Sequence, residues 1–439
     1  MSNDSKNFFE RFMKFASKIE ANEIKAVLFS FAFVFTTMAA YYILRPVRDA
    51  MASDWTDTEL SFIWNLNFFV SISIVALYGF AVSKVRFKVL VPGVYAFFSA
   101  SFVAFYFGID AIADRAVIDK TFYLWVSVFS LFHISVFWSF MSDLFNKEQA
   151  GRLFAFIAAG ASAGAPAGSI FTAIFARTIG TDVLLLIAAV ALVATIPLIL
   201  YLERLKVVEL HNENVHVDQS QARIGGNPLA GFKLFFTNRY LLGIGLFIVL
   251  YTAIGSFVYF ERKNLLAVLD INTRTQVLAG IDIVVNFLTY GIAMFATSRI
   301  VTRFGMPTTL ALVPVFVIAG LLILAFAPIL TVVLALDIAR RAGNYGITRP
   351  AREMLFTVVD RETRFKAKPV IDIAVYRGGD AVSGLAFAGL TEGLGLGLGV
   401  VAAVGAGIAA VWAVVGRMLG RTFERDYGQV PDTKEAEVV

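Results

Sequence analysis

Apolar runs of about twenty residues follow one another from Ala26 to Val415, and each is as long as a helix must be to cross ~30 Å of hydrocarbon at 1.5 Å per residue. None shows the polar–apolar alternation of a membrane barrel, whose strands are about half that length. The chain therefore reads as all-α and polytopic. Its spans fall at 26–47, 60–82, 88–108, 121–143, 152–176, 183–201, 240–260, 276–298, 308–327, 329–349, 370–389 and 393–415, twelve in all. With 58% hydrophobic and 16% charged residues and a mean hydropathy of +0.74, the 439-residue chain has too little polar surface for a soluble protein.

The short loops fix an orientation. Lys14, Lys18 and Lys25 precede the first span, and every second loop after it is basic: Lys84-Arg86-Lys88, Lys147-Arg152, Arg204-Lys206, Arg299-Arg303, Arg361-Arg364-Lys366-Lys368, then Arg417-Arg421-Arg425. Both termini are expected in the cytoplasm of a bacterial inner membrane. The same loops account for the net charge of +5, so no nucleic-acid partner is expected.

Outside the spans, residues 1–21 set Phe8, Phe9, Phe12, Phe15 and Ile19 among Lys6, Arg11, Lys14 and Lys18, the pattern of an amphipathic helix on the inner interface rather than a cleavable signal peptide. The polar linker 202–238, with Gly225-Gly226-Asn227-Pro228, separates a six-helix half over 22–201 from another over 239–416, and 417–439 is a cytoplasmic tail. Two internal echoes support a duplication. Asn146-Lys-Glu148-Gln-Ala-Gly-Arg152-Leu resembles Asp360-Arg-Glu362-Thr-Arg-Phe-Lys366-Ala, and Arg45-Pro46-Val-Arg48-Asp49 resembles Arg349-Pro350-Ala-Arg352-Glu353. Nested repeats of this kind imply a 6+6 bundle of the major facilitator type with its site near mid-membrane.

Charge inside the apolar runs points to that site. Arg340 and Arg341 stand about a dozen residues into the run from Pro328, where each costs roughly 2.5–3.5 kcal/mol and is kept when it faces a cavity or a partner. The structural alternative is an ion pair between Asp337 and Arg341, one turn apart. In Tyr42-Ile-Leu-Arg45-Pro46-Val-Arg48-Asp49-Ala-Met51 the proline is expected to end the first helix, with Arg45 and Asp49 one turn apart. They form either the outer mouth or the upper wall of an anion site. Arg45, Arg48, Arg340, Arg341 and Arg377 outnumber Asp49, Asp282, Asp337 and Asp380, which favours a small anionic substrate, since guanidinium binds phosphate and carboxylate bidentately.

Other polar residues admit two readings each. His133 is a proton relay or a hydrogen-bonded bundle histidine, and Asp282 with Asn286 is a cation or proton site or a helix–helix contact. Gly393, Gly395, Gly397 and Gly399 are expected to serve close helix packing rather than a phosphate cradle. Cysteine is absent and the three histidines are His133, His211 and His216, so neither a metal centre nor a cofactor is expected.

Ile43-Leu-Arg45-Pro-Val-Arg48-Asp49 resembles the first-helix motif of the nucleotide transporters, the ATP/ADP translocase family of plastids and intracellular bacteria, with Arg48 where that family usually carries lysine. Phe137-Trp138 with Asp143, Glu148, Arg152 and Phe154 is similar to its fourth-helix segment. Arg341-Ala-Gly-Asn-Tyr345 through Pro350, Glu353-Met354, Asp360, Glu362, Lys366, Lys368, Ile371-Asp372 and Arg377-Gly-Gly match it best, and Glu261-Arg262 resembles its acidic–basic pair. Arg349 replaces an acidic residue and Asp380-Ala381 a lysine–serine step, as in a divergent bacterial branch. The resemblance implies an ATP/ADP-type exchanger, or an exchanger of another phosphorylated anion; a monomer in the lipid bilayer is expected. Substrate would meet Arg45, Arg48, Asp49, Arg340, Arg341, Tyr345 and Arg377. Coupling or gating would fall to Asp143, Glu261, Asp282, Asp337, Asp380 and His133. The alternatives are a proton-coupled carrier of a non-phosphorylated solute, and a sensor or assembly factor, against which the lack of an extramembrane domain argues. No nucleophile–base pair suggests an enzyme.

Overall fold

The structure, a computed structural model, describes residues 19–84, 87–210, 212, 230–359, 363, 367–368 and 370–427. Most of the segment 1–21, Arg86, His211, His216, the turn 225–228, Arg361, Arg364, the repeat residues Asp360, Glu362 and Lys366, and the tail after Tyr427 lie outside it.

The described elements are helices: α1 Ile24–Met51, α2 Asp57–Lys84, α3 Phe87–Ala111, α4 Arg115–Leu144, α5 Lys147–Ile179, α6 Val183–Val208, the short α7 Ala230–Thr237, α8 Arg239–Leu266, α9 Ile271–Phe295, α10 Thr297–Phe326, α11 Leu330–Gly343, α12 Arg349–Leu355, α13 Tyr376–Ala388 and α14 Leu398–Tyr427. Among the described residues nine helices are long and apolar enough to cross a membrane. The remaining spans of the twelve are α2 and two interrupted helices. In one, the π turn Asn344–Thr348 joins α11 to α12; in the other, π turns Val370–Val375 and Gly389–Gly393 flank α13.

Most helices overrun their apolar runs, because backbone hydrogen bonding continues past the hydrocarbon and polar caps stop it. Asp114 accepts from the Ala116 N–H at the start of α4, Asn146 and Gln149 form a capping box on α5, and Asn238 accepts from Tyr240 and Leu241 on α8. Pro46 does not end the first helix as expected. It lies inside α1, which runs on to Met51. The proline removes one backbone donor, and burial of Val47, Ala50 and Met51 holds the last turn in place.

The chain forms two compact units. One comprises Met1–Ala52, Phe69–Ile224 and Leu269–Ile283; the other comprises Ser53–Phe68, Gly225–Val268 and Val284–Val439. In the first, α1 lies against α5 at a row of glycines four residues apart. A Cβ on Gly160 would stand 2.6 Å from the Phe31 carbonyl, and ones on Gly164 and Gly168 would collide with the carbonyls of Phe35 and Ala39. Phe33 fills the core behind this seam, edge-on to Tyr95 and Phe137 at 5.2 and 5.1 Å.

In the second unit α10 runs along α14, where a Cβ on Gly399 would meet the Ala325 carbonyl at 2.5 Å and one on Gly416 the Leu310 carbonyl at 3.0 Å. Gly399 therefore packs closely as expected, but Gly393, Gly395 and Gly397 face open space. Gly395, at φ +66°, instead supplies the left-handed residue that breaks the chain before α14.

Gly164→Val is expected to force α1 off α5 and to abolish a monodisperse, folded product on size exclusion. Gly93→Ala, where nothing lies within 4 Å, should behave as wild type. A folded, stable Gly164→Val protein would show that the seam is not needed.

Candidate functional site

In the second unit, spacing puts three charged side chains on one face of α11, since positions i, i+3 and i+4 are neighbours on a helix. Asp337 is 1% exposed, and Arg340 and Arg341 are also buried. Arg340 donates to one carboxylate oxygen of Asp337 at 2.8 Å, and Arg262 of α8 donates to the other at 2.6 Å. Arg341 lies 3.8 Å from the latter oxygen. The expected Asp337–Arg341 pair is thus the longest of three contacts, because Arg262 and Arg340 occupy the carboxylate first. Arg262 is a partner that periodicity did not reveal; the available signal was a charge in the last turns of an apolar run.

Local backbone makes room for this cluster. Arg340 lies beside Gly255 of α8, where a Cβ would stand 3.3 Å from its guanidinium. Arg262 is stacked 4.9 Å from the Tyr259 ring. Directly after Arg341 comes the π turn Asn344–Thr348, with Asn344 and Thr348 buried and Tyr345 39% exposed. Single π turns of this kind recur at functional sites. Tyr251 of α8 lies 6.2 Å from Tyr376 and 5.8 Å from Trp412, ring to ring. Arg377 and Asp380 are half-buried on α13, and Asp380 is close enough to feel the charges of Arg377 and Arg340.

A second polar group lies at the C-terminal end of α8. Asp57 accepts from Lys263 at 2.8 Å, from Asn264 at 3.0 Å and from the Thr391 hydroxyl at 2.8 Å, while Glu392 accepts from the Asp57 N–H at 2.6 Å. Beside them Glu261 is 0% exposed, with no hydrogen-bond partner on either carboxylate oxygen among the described residues. Buried carboxyls are normally satisfied, so such an exception calls for a function.

The first unit carries its own charged group near the C-terminal end of α1. Arg48 folds back onto the Asp49 carboxylate at 2.7 and 2.9 Å, reaches the Ser127 hydroxyl at 3.4 Å and lies 5.2 Å from the Tyr123 ring. Arg45 stands 3.6 Å from Asp282 of α9, so the eighth span's acid meets the first span's arginine. His133 is held by its Nδ1, 3.3 Å from the Phe129 carbonyl, and its ring stacks on Tyr41 at 4.4 Å. Asp143 lies farther along α4. It is salt-bridged to Lys206 at 2.8 Å, and sixteen residues along α4 separate it from Ser127 by ~24 Å. Its neighbour along the chain, Arg152, holds Glu23 at 2.9 Å.

The family model of the Major Facilitator Superfamily matches residues 28–350. No curated protein matches the chain. Among solved structures, the nucleoside transporter NupG is similar with a TM-score of 0.63 at 14% identity, over 91% of this chain and 99% of that one. A bacterial homologue of the iron transporter ferroportin gives 0.62 at 12%, over 92% and 100%. A bacterial homologue of the human lysosomal transporter Spinster gives 0.58 at 13%, over 93% and 99%. At these identities the likeness is one of fold.

Proposed function

The chain belongs to the Major Facilitator Superfamily, and from that premise we propose that it exchanges nucleotides, or another phosphorylated organic anion, across the inner membrane by alternating access. The observation that carries this reading is the closure of three buried guanidiniums, Arg262, Arg340 and Arg341, on one carboxylate, Asp337. Guanidinium remains charged when desolvated and forks onto phosphate oxygens. Asp337 then acts as a resident counter-ion that an anionic substrate displaces. Tyr251, Tyr345 and Tyr376 supply ring faces for a planar base, and Arg377 adds a further cation. Arg45, Arg48 and Asp49 of the first unit are assigned to substrate binding as well, with Asp282, Asp380 and His133 in coupling; the basic loops support cytoplasmic termini.

Proteoliposomes loaded with unlabelled ATP are expected to accumulate labelled ADP by counterflow. Absence of counterflow with nucleotides, sugar phosphates and inorganic phosphate alike would reject the reading.

A second reading, proton-coupled transport, is favoured by Glu261, because isolated intramembrane carboxyls are the groups from which proton relays are built. On that reading Glu261→Gln abolishes uptake driven by an imposed pH gradient and leaves counterflow intact. Equal loss of both activities would make Glu261 structural.

A further inference from the structure

Four arginines in the second unit take no part in the site. Gly305, at φ +75° and ψ 171°, divides α10 into an arm, residues 297–304, and a main helix from Met306. The Glu424 carboxylate of α14 accepts from the Met306 N–H at 2.8 Å, and Gly420 rests directly on Pro307. The start of α10 and the end of α14 are thereby locked together. Arg299 and Arg303 stand one turn apart on the arm, and Arg417 and Arg421 one turn apart on α14; all four are exposed. None of the four meets a carboxylate among the described residues. By contrast Lys25, Arg152, Lys206 and Lys368, near the ends of other spans, meet Glu209, Glu23, Asp143 and Glu353.

The apolar surroundings have the matching pattern. Along α14, Val414, Arg417, Met418 and Arg421 follow at i, i+3, i+4 and i+7, one stripe of the helix. Met418 is 62% exposed and, on the arm, Phe304 is 56% exposed with the Arg303 guanidinium 5.6 Å from its ring. Exposed apolar side chains in a membrane helix meet acyl chains, and guanidiniums at the end of the same stripe meet the headgroup layer, where anionic lipid attracts them.

We propose that this end of α10 and α14 binds an anionic phospholipid, the phosphate between the arginine pairs and the acyl chains along Val414, Met418 and Phe304. Phosphatidylglycerol or cardiolipin has the required chemistry; phosphatidylcholine, whose choline offsets the phosphate, does not. The site is separate from the Asp337 cluster and does not depend on what is transported.

The test is native mass spectrometry of the full chain delipidated in detergent and titrated with phosphatidylglycerol or phosphatidylcholine. Phosphatidylglycerol should be retained preferentially, and Arg303→Gln with Arg421→Gln should weaken that retention roughly 30-fold. Arg303→Lys with Arg421→Lys should keep it, which guards against reading misfolding as lost affinity. Ten-millimolar-scale inorganic phosphate should fail to compete, since it lacks the chains. Equal retention of the two lipids, or a glutamine variant that binds like wild type, would overturn the proposal. So would a preference that appears only after residues 428–439 are removed, because that would make the chain's own Asp432, Glu435 and Glu437 the occupant.

Discussion

Asp337→Asn is expected to yield a transporter that unfolds well below the wild-type temperature in anion-free buffer and regains most of the loss when phosphate or nucleotide is added. The carboxylate holds Arg262 and Arg340 at 2.6 and 2.8 Å and lies 3.8 Å from Arg341. Deleting one partner of a buried ion pair costs about 3–5 kcal/mol, mostly because the opposite charge stays buried. An amide preserves the shape, but it carries no charge and turns an N–H toward a cation. A bound anion can restore the missing charge, and a ligand at 100 times its Kd adds about 2.7 kcal/mol of apparent stability. The variant should also bind anions more tightly and exchange them more slowly, since no internal carboxylate displaces them. Thermal unfolding with and without phosphate, alongside counterflow rates, measures both effects. A variant destabilised equally with and without anion would make Asp337 a structural bolt and remove the gating role.

What sequence could show of this arrangement follows from the range of each interaction. The spans are legible because a twenty-residue apolar run is a local property, and the face shared by Asp337, Arg340 and Arg341 follows from helix geometry alone. Arg262 reaches Asp337 across 75 residues and Arg45 reaches Asp282 across 237, and no periodicity encodes which helices lie side by side. The pairing of Arg48 with Asp49 is illegible for a different reason. Adjacent residues on a helix diverge, and only a long guanidinium folding back closes the gap to 2.7 Å. The π turn after Arg341 was also hidden. Gly343 just before it and Gly346 within it are pressed against other helices, where a Cβ would stand 2.9 Å from Val313 and 2.6 Å from Ile292, so tertiary packing holds a backbone that composition does not announce. The resemblance in the same segment identified residues without revealing that the helix changes register there.

The two adjacent arginines should separate in function. Arg340 is bonded to Asp337 and seated beside Gly255, whereas Arg341 is more than the length of a hydrogen bond from the same carboxylate. Arg341→Ala is therefore expected to lower the melting temperature less than Arg340→Ala does and to weaken anion binding roughly 10- to 100-fold, the loss of one charge-assisted contact. Arg341→Lys should recover part of it, keeping the charge and losing the fork. Arg340→Ala should instead destabilise the empty protein, because it removes a direct hydrogen bond to a buried carboxylate, and Gly255→Val should reproduce that effect by pushing the guanidinium aside. Measured together, a binding titration and a thermal scan of the four variants distinguish the roles. If Arg341→Ala binds and transports like wild type, Arg341 lies outside the anion site and the cluster around Asp337 is a helix–helix tie.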